Sequence, residues 1–251
     1  MARLEGKTAI VTGGAKGIGR HYSQALAAEG ARVMIADIAD GKDLAAEIAG
    51  RHGANSVASI KFDVSDEKAI KNVVAQTIER FGQIDILVCN AASNPYFGPM
   101  GNMSDEQFNK ILQNNIVSNH WLIQMVAPEM RARKSGSITI ISSIGGLRGT
   151  EVLGAYAISK AADMQLTRNL AAEFGPDNVR VNTIAPGLIK TDFAKALWDN
   201  PEILKRSTER APLRRIGEPD EIAGMAVFLA APAGAFTTGQ TFVIDGGQTV
   251  V

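Results

Sequence analysis

Seven short runs rich in apolar and β-branched residues punctuate the chain, and helix-length segments separate them. The runs are Thr8–Thr12, Arg32–Asp37, Ser56–Asp63, Asp85–Asn90, Ser137–Ser142, Val179–Ala185 and Thr241–Ile244. Helical patterning falls near Gly17–Glu29, Lys42–His52, Asp66–Phe81, Asp105–Arg133, Ala155–Phe174 and Glu218–Ala230. Strands alternating with helices of this length predict an α/β fold, a parallel sheet covered on both faces. Ala9-Ile-Val and Ile138-Thr-Ile-Ile are nearly continuous in apolar or β-branched residues, as strands buried on both sides should be. With 251 residues and neither a composition break nor a repeat, the span 1–251 reads as one domain.

Composition narrows the partners. Apolar residues make up 45% of the chain, enough for a sizeable core. Lys plus Arg and Asp plus Glu number 26 each, so the formal charge is zero. A neutral chain carries no electrostatic footprint for nucleic acid or an anionic membrane surface, and a small molecule is the expected partner. The single cysteine, Cys89, excludes an intrachain disulfide and sits in an apolar run that reads as buried strand. His21, His52 and His120 lack metal-ligand spacing, so no metal site is expected. The N-terminus has no apolar signal core, and a cytoplasmic location is expected. Ile222 to Ile244 is free of charge and long enough to span a bilayer. Pro232, Gly234, Thr237, Thr238, Gly239 and Gln240 interrupt it, so it reads as a buried helix, a loop and a final strand.

The first turn carries chemistry as well as topology. Thr12-Gly-Gly-Ala-Lys-Gly-Ile-Gly19 follows the first strand and opens the first helix. Gly13, Gly17 and Gly19 permit a tight turn and close approach of a ligand. The N–H groups around Lys16, Gly17, Ile18 and Gly19 are then free to hold a pyrophosphate. Asp37 closes the second strand, 18 residues after Gly19. A carboxylate there accepts hydrogen bonds from the adenosine ribose and repels a 2′-phosphate, so NAD is expected over NADP. Ile38, not a basic residue, follows it. Lys16 argues the other way, since its ammonium could reach a phosphate. Asp63-Val64 and Asn90-Ala91-Ala92 end the third and fourth strands at the same edge. They suit an adenine and ribose floor; Asn90 equally suits a tie between adjacent strand ends.

Tyr156 and Lys160 stand four residues apart at the start of a helix, which puts them on one face. A tyrosine has an unperturbed pKa of about 10, and a neighbouring ammonium favours its phenolate. Such a pair can exchange a proton with a hydroxyl or carbonyl oxygen. Ser143 ends the fifth strand, where a hydroxyl could orient a substrate oxygen; it also suits a turn or a cap. Neighbouring Ser142 is the structural one of the two.

Together with Asn115 and Pro186-Gly-Leu-Ile-Lys-Thr191, these motifs resemble the short-chain dehydrogenase/reductases over essentially the whole chain. The resemblance implies a three-layer αβα Rossmann fold with a doubly wound seven-stranded sheet, usually in a homotetramer. It implies Tyr156 as general acid/base and Ser143 as the residue orienting the carbonyl. Lys160 would bind the nicotinamide ribose and depress the tyrosine pKa, and Asn115 would hold the water linking Lys160 to solvent. Pro186, Gly187, Ile189 and Thr191 would line the nicotinamide end, with the Ile189 backbone on its carboxamide. The family's usual Asn-Asn-Ala-Gly reads Cys89-Asn-Ala-Ala here, which keeps Asn90. Asn90–Pro95 and Ala185–Trp198 are similar to the carbonyl reductase/retinol reductase branch, peroxisomal in animals and NADP-using. Asp37 speaks against that cofactor, and Thr249-Val-Val251 is not a peroxisomal tripeptide.

The expected activity is hydride transfer between NAD(H) and a secondary alcohol, a ketone or another carbonyl. The alternatives are an NADPH-dependent carbonyl or 3-ketoacyl-thioester reductase and a non-catalytic cofactor-sensing protein. The second is disfavoured by the intact Asn115, Ser143, Tyr156 and Lys160. A serine hydrolase is disfavoured by the lack of a G-x-S-x-G elbow. Residues 187–217, irregular and following the sixth strand, are expected to form a substrate lid.

Overall fold

Side-chain alternation along each strand decides which residues meet which helical layer. A computed structural model describes residues 2–251; Met1, the first residue of the expected domain span, lies outside the described residues. In it, β1 (Thr8–Thr12), β2 (Arg32–Asp37), β3 (Val57–Lys61), β4 (Ile86–Cys89), β5 (Gly136–Ile141), β6 (Val179–Pro186) and β7 (Thr241–Ile244) form one sheet. The order is β3-β2-β1-β4-β5-β6-β7, and every pair is parallel. Ala9, Val11, Val33, Ile35, Ile86 and Val88 face one layer. There they meet Tyr22 and Leu26 of α1 (Gly17–Ala28), Leu44 and Ile48 of α2 (Lys42–His52), and Ile222 and Val227 of α9 (Asp220–Ala230). Ile10, Met34, Leu87, Cys89, Ile138 and Ile140 face the other. That layer holds α3 (Glu67–Phe81), α5 (Ser118–Ala132) and α6 (Gly154–Phe174). This is the three-layer Rossmann arrangement as a single α/β domain.

Register fixes the layers. Val11 stands opposite Ile35 on β2 and Val88 on β4, so residues of one parity meet one core. Each apolar side chain fully buried this way contributes about 1.5–3 kcal/mol. No helix among the described residues is long and apolar enough to cross a membrane. The charge-free stretch from Ile222 divides into α9, a short turn over Pro232–Gly234, and β7.

The structure departs from the expected elements in several places. The single helix expected over Asp105–Arg133 is α4 (Asp105–Leu112) and α5, joined by a π-helical turn over Gln113–Val117. The π-helical turn lies inside one continuous helical run and contains no Gly or Pro that would mark it in the sequence. Within that turn Asn114 and Asn115 are buried. The third and fourth strands are also shorter than expected, because Asp63 and Asn90 leave the ladder for contacts described below. The last helix begins at Asp220, after Pro219, rather than at Glu218. Residues 187–217 carry two short helices, α7 (Lys195–Trp198) and α8 (Pro201–Arg210). Their two ends are clasped: Lys190 N donates to Gly217 O at 2.9 Å and Gly217 N to Leu188 O at 3.0 Å.

Leu87 is fully buried at the centre of β4. Leu87→Ala is expected to destabilise the fold by about 2–5 kcal/mol, measured by urea denaturation with an unchanged m value.

Candidate active site

In a sheet of this order, the crevice opens where the winding reverses, outside the carboxyl ends of β1 and β4. Polar residues knit its floor. Thr12 Oγ accepts from Asn90 N at 3.0 Å and from Ala91 N at 3.1 Å. Asn90 Nδ2 donates to Thr12 O and Gly13 O, each at 3.0 Å. The tying role open to Asn90 in the sequence is therefore present.

The glycine turn fits a dinucleotide. A Cβ on Gly19 would stand 1.9 Å from Gly13 O, and Gly13 and Gly17 have φ of 60° and 51°. No side chain caps the start of α1, where Lys16 is the N-cap, so its first-turn N–H donors await an external acceptor. Ile18 packs partly against the core, while Lys16 is exposed. A Cβ on Gly17 would lie 3.6 Å from Thr191 Cγ2, so the glycine turn and the Pro186–Thr191 segment close over the same crevice.

Asp37 is buried, and its carboxylate is already engaged. Oδ2 accepts from Ala15 N and Oδ1 from Ala39 N, each at 2.9 Å. Asp37 thus also has a structural role: it pins the glycine turn to the end of β2. Ile38 beyond it is 65% exposed. Asp63 accepts from Ser65 N and Ser65 Oγ, both at 2.8 Å. The Ser65 backbone bond holds its carboxyl below the usual carboxylate range. Val64 packs partly against the core.

The reactive side chains converge at the ends of β4 and β5 and the start of α6. Asn115 is fully buried in the π-helical turn. Its Nδ2 donates to Ser93 O at 3.1 Å and Ser159 Oγ at 2.9 Å, and its Oδ1 accepts from Ser93 N at 2.8 Å. Ser142 Oγ donates to Lys160 O at 2.6 Å, which is its structural role. Ser143 caps the following short turn, accepting from Gly145 N at 3.0 Å, and it also flanks the Tyr156 phenol. The capping reading of Ser143 is thus present in the structure.

Tyr156 is half-buried, with Phe193 packed at 6.1 Å between ring centroids and the Lys160 ammonium 5.7 Å from its own. Burial pushes its phenol above the ordinary value; Lys160 and then Ser143 pull it down, and Asp163 pushes it up. Lys160 Nζ donates to Ile141 O at 2.8 Å and to Asp163 Oδ2 at 2.9 Å. Burial works against the ammonium, but Asp163 and then Tyr156 raise the lysine pKa on balance. Sequence reasoning missed Asp163, Asn119 and Ser93. Asp163 had a signal: it lies seven residues beyond Tyr156 and three beyond Lys160, on their face of α6.

At the far wall, Ile189 is buried and bridges to Gly217, and Gly187 N donates to Ile244 O at 2.9 Å. Thr191 O accepts from Trp198 Nε1 at 2.7 Å, so Trp198 holds α7 to the segment after β6. Phe193 is 58% exposed. Cys89 is a buried core residue, and no three His, Cys, Asp or Glu side chains cluster for a metal among the described residues.

The chain is similar in sequence and fold to known proteins. The family profile described as enoyl-(acyl carrier protein) reductase matches residues 13–249. Dehydrogenase/reductase SDR family member 4 of Oryctolagus cuniculus is 38% identical over 97% of this chain and 94% of its own length. The structure of 7α-hydroxysteroid dehydrogenase with NADH and 7-oxo glycochenodeoxycholic acid superposes with a TM-score of 0.90. It is 35% identical and covers 98% of this chain and 95% of that one. A protein described as an NAD(P)-dependent gluconate 5-dehydrogenase from Beutenbergia cavernae, with bound NADP at low occupancy, has a TM-score of 0.93 at 34% identity. It covers 99% of this chain and 98% of that one.

Gly19→Ala forces a methyl onto the Gly13 carbonyl. It is expected to weaken NADH binding by at least about tenfold, or about 1.4 kcal/mol, read by quenching or enhancement of NADH fluorescence.

Proposed function

From the premise that the chain belongs to the short-chain dehydrogenase/reductase family and is an NAD(P)-dependent oxidoreductase, we propose that it interconverts a secondary alcohol and a ketone, with Tyr156 as the general acid/base. The observation that carries this reading is the Tyr156 phenol flanked by Ser143 and the Lys160 ammonium at the mouth of the sheet's crevice. A bound nicotinamide cofactor would supply or accept the hydride. Ser143 donates to the substrate oxygen and sets it against the phenol. In alcohol oxidation Tyr156 takes the hydroxyl proton; in ketone reduction it returns one. Lys160 favours the phenolate by charge and would hold the nicotinamide ribose. Asn115 ties the chain after β4 to α6 through Ser93 and Ser159, and it fixes the wall beside the phenol.

Gly13, Lys16, Gly17, Ile18 and Gly19 would hold the pyrophosphate of a bound dinucleotide, and Asp37 and Ile38 its adenosine ribose. Asp63, Val64, Asn90 and Ala91 would form the floor, and Pro186, Gly187, Ile189 and Thr191 would hold the nicotinamide end. NAD is the preferred form. Asp37 spends one lone pair per oxygen on Ala15 and Ala39, keeps others for ribose hydroxyls, and repels a 2′-phosphate. The exposed Lys16 favours NADPH-linked reduction, as does the similarity to the NADP-using carbonyl reductase/retinol reductase branch. Residues 187–217 act as a lid, supported by their clasped ends and by Phe193 against Tyr156. Exposed Phe236 and Val243, the latter on the edge strand β7, support assembly as a homotetramer.

A screen of secondary alcohols and ketones, followed by NADH and NADPH absorbance, tests the activity. Tyr156→Phe is expected to lower turnover by about 10²–10⁴-fold while NADH binding, titrated by fluorescence, stays nearly intact. A variant as active as the parent on its best substrate removes Tyr156 from the chemistry. Asp37→Ala is expected to narrow the preference for NAD, measured as kcat/KM with both cofactors; a parent already faster with NADPH contradicts the assignment.

A further inference from the structure

A carboxylate with no solvent exposure is costly unless it is paired and hydrogen-bonded. Asp163 is such a group, and the site chemistry above does not use it. Its Oδ2 meets Lys160 Nζ at 2.9 Å, and its Oδ1 accepts from Asn119 Nδ2 at 3.1 Å. The same Asn119 amide donates to Asn115 O at 2.7 Å. An unbroken chain of hydrogen bonds therefore runs from the π-helical turn through Asn119 and Asp163 to the lysine beneath Tyr156.

We propose that Asp163 is a positioning residue of this enzyme: with Asn119 it anchors the Lys160 ammonium and, as its counter-charge, sets the pH at which Tyr156 gives up its proton. This rests on Tyr156 being the acid/base. The titratable groups acting on Lys160 are Asp163 and Tyr156 on α6 and Cys89 on β4. Burial raises the Cys89 thiol, so it stays neutral. Asn119 from α5 and the Ile141 carbonyl from β5 complete the surroundings. Burial raises the Asp163 carboxyl to about 6 against the pull of Lys160, so it is ionised at neutral pH.

The direction follows from charge balance. With a neutral phenol, the ammonium and the carboxylate sum to zero. Loss of a proton then leaves a net negative charge in a buried, weakly screening site. With asparagine in place of Asp163, the same loss takes the cluster from positive to neutral. The proton departs more readily, whichever of Tyr156 and Lys160 releases it. The carboxylate thus restrains the phenol, where the lysine alone would acidify it strongly.

Asp163→Asn keeps the shape and an acceptor for Lys160. The rising limb of alcohol oxidation with pH is expected to move down by about one pH unit or more, a change of about tenfold in proton affinity. The tyrosinate absorbance of the cofactor-free protein, read as the difference from a Tyr156→Phe background, is expected to move in the same direction. Asp163→Glu is expected to restore much of the original profile. An unmoved limb and an unmoved phenol titration, with only a lower kcat or Tm, overturn the proposal and leave Asp163 structural. Should Asp163→Asn not fold, the parent decides: a cofactor-free Tyr156 that titrates well below about 10 shows no restraint and overturns it, and one at or above that value supports it. Failure of the underlying reading looks different, since Tyr156→Phe then keeps its turnover whatever Asp163 does.

Discussion

A parallel strand cannot pair with its neighbour until the chain has crossed back over the sheet, and this one requirement organises the molecule. Each crossing consumes a helix, and the helices cover both faces. Every strand then ends at the same edge. The winding reverses between β1 and β4, so two crossovers diverge there and leave a crevice that no helix fills. Thr12, Asp37, Cys89 and Ile141 close their strands at that edge. The glycine turn, Asn90, Ser143 and the segment after β6 meet there although they are far apart in the chain. Because the sheet is close-packed on both sides, the edge is a rigid platform for the groups that meet there.

The polar groups at the crevice stabilise one another. Thr12 Oγ serves two backbone donors, Asn90 Nδ2 two backbone acceptors, and Asn115 spends its whole amide on Ser93 and Ser159. In a low-dielectric interior each of these groups is expensive to leave unpaired, so a substitution at one is felt by its partners. This interdependence explains why Asp37, Asn90 and Ser143 each do structural work at the positions where ligand contacts are proposed.

Much of this was legible in the chain. Runs of apolar and β-branched residues located all seven strands, and the glycine turn marked the crevice because a strand precedes it and a helix follows. Tyr156 and Lys160 announced themselves by helical spacing. What escaped was whatever depends on partners distant in sequence. The π-helical turn at Gln113–Val117 contains no Gly or Pro to mark it, and the bonds that Asn115 makes from it to Ser93 and Ser159 span 22 and 44 residues. Asp37 reads as a ribose ligand from its spacing, yet nothing in the spacing reveals the Ala15 and Ala39 bonds. Asp163 shares a helical face with the tyrosine and lysine. A carboxylate on a helix is ordinarily solvated, whereas the fold leaves this one no exposure and sets Asn119 of α5 against it.

The grip on Lys160 has an arithmetic of its own. An ammonium carries three hydrogens. Ile141 O takes one and Asp163 another, so a single hydrogen is left for anything that enters the crevice. The side chain is therefore a fixed post with one free hook rather than a flexible arm. A planar guanidinium, with five donors in a rigid fork, cannot divide itself in the same way between a strand carbonyl, a buried carboxylate and a third partner. At this position the usual interchange of one basic residue for another is closed by valence and geometry, even though the charge would be unchanged.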